Sequence, residues 1–459
     1  MLPRLFPLLA AAALAGCMAA PSVGPTARAT SDLLAPPRSS GFDPGPGTPP
    51  PARAASNAEL ARNFLDLSFQ LESGRALPLF TRFEGPITLG LAGAVPPGAG
   101  EEVAGLLARL RGEAGISIWH EAGPRAAITV EFVPRRDLQA AAPNAACFVV
   151  PGVTGWRDYR SQRSSAEADW ATLAHRSRVS VFVPSDVAPQ EMRDCLHEEI
   201  AQALGPLNDL YRLTGSVFND DNFTSVLTAH DMLMLRIAYA PELASGMTEA
   251  EVAAALPGVL MRINPVGGRF ATPATASATP RGFQAALDTA LSGNASAQAR
   301  RAAAREAVSI AEAAGWADAR AGFAWFALGR LSASADPETA RTALFNAAAI
   351  YRTLPGATIQ YAHVEMQLAA LALRARQPAE ALALAGRALP AAIAGENPAL
   401  AATLHLIRAE AYAAQGLAAA AAAARLDSAR WAGYGFGSPA ATQRRAAEVA
   451  ALATGAGLR

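Results

Sequence analysis

The chain has 459 residues, 51% apolar and 17% charged, long enough for at least two domains. Its 39 basic residues, all arginine, balance 39 acidic ones, so nothing in the charge favours nucleic acid as a partner. No apolar run after the first residues approaches the roughly 20 that a permanent membrane helix needs.

Residues 1–17 read as a lipoprotein export signal. Arg4 supplies the positive charge, Leu5 to Leu14 is apolar but too short to span a bilayer, and Leu14-Ala15-Gly16-Cys17 forms a lipobox. Cleavage before Cys17 would leave its thiol diacylated and its amine acylated, and several chains anchor a protein where one does not. Met18 rather than Asp follows, which favours the outer membrane. The expectation is a protein tied by lipid on Cys17 to the periplasmic face of a bacterial cell envelope. Residues 18–56, dense in Pro, Gly, Ser and Ala, read as a disordered tether.

From Asn57 to residue 265 the pattern is globular. Asn57 is placed to cap a helix running to about Ser73, with Leu60, Phe64, Leu67 and Leu71 on one face. Apolar, β-rich runs follow at Ile87–Leu91, Ile116–Trp119, Ile128–Phe132 and Val179–Val183, with a helix near Glu101–Arg111. Next comes Cys195-Leu196-His197-Glu198-Glu199-Ile200-Ala201-Gln202-Ala203-Leu204-Gly205-Pro206-Leu207-Asn208-Asp209. Met192, Leu196, Ile200 and Ala203 recur at helical spacing and Gly205-Pro206 stops the helix. Glu198 and Gln202 then share the side opposite the core, and Glu199 sits at the edge of the apolar stripe. His197 precedes two carboxylates, which are expected to raise its pKa.

This layout resembles the zinc-binding helix of the zincin metalloproteases, His-Glu-x-x-His-x-x-Gly-x-x-His. The frame starting at His197 fails, because Ala201 cannot ligate. The frame starting at Glu198 places Glu198, Gln202 and Asn208 at the ligand positions, Glu199 at the general base and Gly205 at the glycine, and so loses every histidine. Zincins of the matrixin kind continue with a Met-bearing turn and a further helix. Here Gly215-Ser216-Val217-Phe218 takes the turn, with Val217 in place of Met, and Leu227 to Tyr239 takes the helix, with Thr228 as N-cap and Asp231 in its first turn. About residues 57 to 265 are more similar still to an uncharacterised proteobacterial lipoprotein family, domain of unknown function 2927. The likeness rests on Glu-Glu-x-x-Gln-x-Leu-Gly, the following Asn-Asp, the Asp231 helix and Phe83-Glu84-Gly85-Pro86-Ile87 upstream. It implies an α+β zincin-like fold, with Gly205 and Asp231 as structural positions, and little chemistry.

With Cys17 assigned to lipid, Cys147 and Cys195 remain, and in an oxidising compartment they are expected to pair, closing a loop of about 50 residues for ~4 kcal/mol; two separate buried thiols are the alternative. Three readings of the Glu198 helix stay open. Glu198, Gln202 and Asn208 could fix the helix and turn as a hydrogen-bonded cluster. With a carboxylate added by Asp209, they could instead hold a hard divalent cation through oxygens. They could also serve a metal-dependent hydrolase, with Glu199 as general base. Asp220-Asp221-Asn222 could bind a cation or simply form a turn.

Residues 266–280 read as a linker. Residues 281–459 are helical in character and repeat: Ala302 to Gly315, Thr342 to Gly356 and Ala381 to Gly395 are similar segments about 40 residues apart, continued at Leu417. Tyr361-Ala362-His363 to Leu373, followed by Gln377-Pro378-Ala379-Glu380-Ala381-Leu382, resembles a tetratricopeptide helix pair; a plain helical bundle would also fit. An all-α tetratricopeptide-like array offers a groove for a peptide, another envelope protein or the chain's own first domain.

Overall fold

The computed structural model describes residues 55–454 except 122, 124, 125, 144, 220 and 271–277. Cys17, nearly all of the tether, Asp220 and much of the linker lie outside the described residues.

Helix α1 (Asn57–Ser68) begins one residue before the expected cap, at Ser56, whose hydroxyl accepts from Glu59 N. It also ends five residues early, because Phe69 closes it and Gln70 bridges Ala76 across a tight turn. Leu60, Phe64 and Leu67 are buried on its core face. Then come β1 (Ile87–Gly93), α2 (Ala99–Ala114), β2 (Ile118–His120), β3 (Ile128–Val133), α3 (Arg135–Ala141), β4 (Phe148–Pro151), α4 (Trp156–Gln162) and β5 (Val179–Pro184). The sheet order is β2-β1-β3-β5-β4, all parallel except β4, which runs antiparallel along the edge of β5. All six β5 residues are buried, as expected for a strand covered on both faces. One face of the sheet carries an aromatic group of Phe148, Trp156, Tyr159 and Phe182. The other carries the main core, which takes in residues of α1, α2, α5 (Pro189–Leu204), α6 (Ala229–Ala238) and α7 (Glu249–Ile263).

The expected disulfide is present. Cys147, just before β4, is bonded to Cys195 on α5, 48 residues on, which ties the edge strand to that helix and restricts the unfolded chain by ~4 kcal/mol in the loop-entropy model.

The second half is helical throughout: α8 (Arg281–Leu291), α9 (Ala297–Ala313), α10 (Ala319–Ser332), α11 (Pro337–Tyr351), α12 (Thr358–Arg374), α13 (Pro378–Ala394), α14 (Pro398–Ala414), α15 (Ala418–Phe436) and α16 (Pro439–Thr454). The antiparallel pairs α10/α11, α12/α13 and α14/α15 recur about every 40 residues, as the repeated segments in the sequence imply. Alanines at the contacts, such as Ala324, Ala343, Ala369 and Ala385, let the helices approach closely around one continuous apolar core. Among the described residues no helix is long and apolar enough to cross a membrane.

The two halves are packed together. Tyr211 and Phe223, from the irregular segment between α5 and α6, are buried in the core of the helical half.

Candidate functional site

Helix α5 belongs to the main core of the first half, and a buried arginine holds its end. Its last carbonyls need hydrogen-bond donors once Gly205 ends the helix. Arg176 supplies them: Nη1 donates to the Gln202 and Ala203 carbonyls at 2.6 and 2.7 Å, and Nη2 to that of Gly205 at 2.6 Å. Its guanidinium lies over the Trp170 ring at 4.7 Å, and its burial lowers its pKa to about 10. The Tyr239 hydroxyl donates to the Leu204 carbonyl. Arg82 does the same service for α6, donating to the carbonyls of Ala238 and Ala240. At Gly205 a Cβ would come within 3.2 Å of Ala238 Cβ, so the absence of a side chain lets α5 and α6 meet.

The turn after α5 is held by Asp231. Its carboxylate accepts from Ser216 Oγ, Val217 N, Thr228 N and Thr228 Oγ1, forming a capping box at the start of α6. Burial nevertheless raises its pKa to about 6.

The residues expected to form a site divide into two groups. Gln202 Nε2 donates to Asp209 Oδ2 at 3.2 Å, and Glu72, from the turn after α1, lies close enough to both for its pKa, raised by burial, to feel them. Asn208 faces the other way, its Nδ2 donating to the Asp66 carbonyl of α1 at 2.9 Å. Glu198 is half-buried, while Glu199 is only 4% exposed. The side of α5 bearing Gln202 was expected to be open, yet Gln202 too is buried, with Asp209 of the segment after α5 folded back onto it. Gln202 and Asn208 direct their amide nitrogens to different partners, so the four expected ligands are not gathered at one point, and among the described residues no group of three His, Cys, Asp or Glu is placed to hold a metal ion.

His197 is a correction. It is buried, its Nδ1 accepts from Leu227 N at 3.0 Å, and its pKa lies well below the usual value. Burial dominates, and the Arg193 and Arg109 charges add to it, outweighing the carboxylates that follow in sequence. A neutral imidazole is thus a fixed acceptor that positions the approach to α6.

Residues 57–258 match the family model described as Protein of unknown function (DUF2927). No curated protein and no solved structure matches the chain. The DUF2927 match ends inside α7, so α8 to α16 lie beyond it.

The sequence left the chain's own first domain as one of three candidates for the helical half to hold, and named none of the residues through which the two halves meet. Gln190 on α5 donates to Asn397 Oδ1 at 3.0 Å and accepts from Ala399 N at 2.8 Å. Arg193 pairs with Glu396 and with Glu102, and Glu102 in turn accepts from the Tyr434 hydroxyl. Thr214 Oγ1 donates to the Pro355 carbonyl, beside Gly215, whose left-handed φ of 64° brings it against Gly356. Each partner is ordinary in sequence, and only the fold shows that it is buried against another.

Asp221 lies in this contact. It accepts from Phe223 N, Asn219 Nδ2 and Gln360 Nε2 of α12, an arrangement of the turn-forming kind. Burial is the largest influence on it and raises its pKa from 3.8 to about 7. Between those values the unfolded chain is ionised while the folded chain keeps its proton, so the Asp221 contribution to stability falls as pH rises from about 4 to about 7 and is level above that. Urea midpoints of wild type and Asp221→Asn measured at pH 5 and pH 8 should show the wild type losing more stability than the variant. Equal losses would refute the assignment.

Proposed function

We propose that the chain is a lipid-anchored envelope protein serving as a binding and scaffolding module. In this reading a zincin-like domain without hydrolytic machinery is joined to a tetratricopeptide-like array. A hydrolase needs its general base open to a substrate, and Glu199 at 4% exposure carries the non-hydrolytic reading. The segment after α5, which would border a zincin's cleft, is itself held by α10 and α12.

The mixed sheet followed by the Glu198 helix, the turn at Gly215 and the Asp231 helix supports the zincin-like comparison. Helix pairs recurring about every 40 residues support the tetratricopeptide-like one. Because the array already holds its own first half, a protein partner has the outer helices left to bind. Phe345 on α11, Ile393 on α13 and Leu426 on α15 are the large apolar side chains exposed there, at 50, 45 and 70%.

Two measurements test the proposal. Labelled palmitate should be incorporated into the full-length protein and be absent from Cys17→Ala; an unlabelled wild type would remove the anchor. Protein produced from residue 18 should contain no stoichiometric divalent ion by mass spectrometry. An ion present one to one and lost in Glu198→Ala would overturn the non-catalytic reading.

A further inference from the structure

Helix α13 is apolar on two sides. Ala381, Leu384, Ala385, Ala388 and Ala392 face the core of the helical half. Gly386, Leu389, Pro390, Ile393 and Ala394 recur at the same three- and four-residue spacing, and none of them is buried. Apolar stripes on two sides mark a helix that is covered on both, yet this second stripe is open, with Ile393 45% exposed. Together with Arg408 of α14, these five residues line one groove of about 580 Å³.

Two polar groups in the groove have bonding capacity to spare. Pro390 has no N–H, so the Gly386 carbonyl one turn back lacks the donor that a regular helix would give it. Arg408 is half-buried, with its guanidinium 5.9 Å from the centre of the Tyr412 ring. Glu410, the acid beside it on α14, is taken by Arg425 at 2.9 Å, and among the described residues no carboxylate forms an ion pair with Arg408. The groove thus offers an apolar floor, one acceptor and one cation. A purely aliphatic ligand would cover the cation and the carbonyl without matching either, which costs affinity. A peptide matches all three, because its apolar side chains displace water from Leu389 and Ile393, its N–H groups donate, and an acidic side chain pairs with a guanidinium.

We propose that this groove binds a peptide segment of a partner protein in which bulky apolar side chains flank an acidic one. The acid pairs with Arg408 and a peptide N–H donates to the Gly386 carbonyl. The inference rests on the scaffolding reading and gives the helical half a site and a ligand chemistry.

The probe is a display library of random short peptides, selected against protein produced from residue 18. Enriched peptides should combine Leu, Ile or Phe with Asp or Glu, and calorimetry on the synthetic peptides gives their dissociation constants. At Gly386 an added Cβ meets nothing within 4 Å, so Gly386→Trp fills the groove and leaves the helix intact. It should melt no lower than wild type and weaken binding at least tenfold. Arg408→Glu should weaken the same peptides as much, and a peptide with its acid exchanged for Lys should recover binding to that variant. Leu426→Asp and Phe345→Asp, exposed controls on α15 and α11, should bind as wild type does. Peptides that bind Gly386→Trp and Arg408→Glu unchanged but fail on either control refute this site and leave the scaffolding reading standing. No enrichment, or enrichment without acidic residues, overturns the proposal too. So does a dimer in light scattering that Gly386→Trp abolishes, which would assign the groove to a second copy of the chain.

Discussion

Replacing Arg176 by Ala is expected to remove about 3–5 kcal/mol of unfolding free energy, one of the two largest effects of any single substitution predicted here. The guanidinium is wholly enclosed and serves the Gln202, Ala203 and Gly205 carbonyls together with Thr81 Oγ1. Truncation leaves three carbonyls at a buried helix C-terminus without donors, at ~1–3 kcal/mol each before any water enters. It also removes a cation from the negative end of the helix dipole and an aromatic contact with Trp170. Arg176→Lys keeps the charge, but a single ammonium cannot match a fork that spans three carbonyls, so less than half of the loss should be recovered. Urea unfolding followed by circular dichroism measures both variants. An Arg176→Ala protein within about 1 kcal/mol of wild type would show that α5 does not depend on this cap.

The sequence conveyed the elements better than their surroundings. Period and caps located α5, α6 and most strands, because Gly205-Pro206 and the Thr228/Asp231 box act within a few residues. The Cys147–Cys195 bridge followed from counting thiols. The short strand β4 was not read as one, since four residues carry little periodicity and its place on the sheet edge is set by β5 and the disulfide. Helix α1 stops at Ser68 rather than Ser73 because the Gln70 to Ala76 turn competes with it, a pairing that periodicity does not detect.

The site itself was harder to read for the same reason. Glu198, Glu199, Gln202 and Asn208 share one stretch of sequence, and a motif comparison gives them one purpose. In the fold Asn208 belongs to α1, Gln202 to Asp209, and Glu199 to a buried interior. His197 shows the limit most clearly. Its sequence neighbours are acidic, yet burial and two arginines brought in by the fold determine its charge. Burial is a property of the whole chain, so a local pattern cannot supply it.

Phe223→Ala should cost about 3–5 kcal/mol and change how the protein unfolds. Asp221 accepts from its backbone N–H, and Asn222 ahead of it takes a left-handed φ of 55°, so the turn projects Phe223 into the helical half. The ring is 1% exposed, with centroids 4.9 Å from Phe326, 5.7 Å from Phe323 and 4.6 Å from His363. Phe223 belongs by chain connection to the first half and by packing to the second. Its loss therefore falls on the contact between them. Wild-type protein should give a single calorimetric transition, and Phe223→Ala should melt lower with its transition split in two. Tyr211→Ala tests the same contact from a second side, since Tyr211 and Phe223 both touch Phe323. Their effects should be non-additive by roughly 0.5–3 kcal/mol in a double-mutant cycle. A Phe223→Ala protein that still unfolds in one step with less than 1 kcal/mol lost would mean that the polar links at Gln190, Arg193 and Gln360 hold the halves together without it.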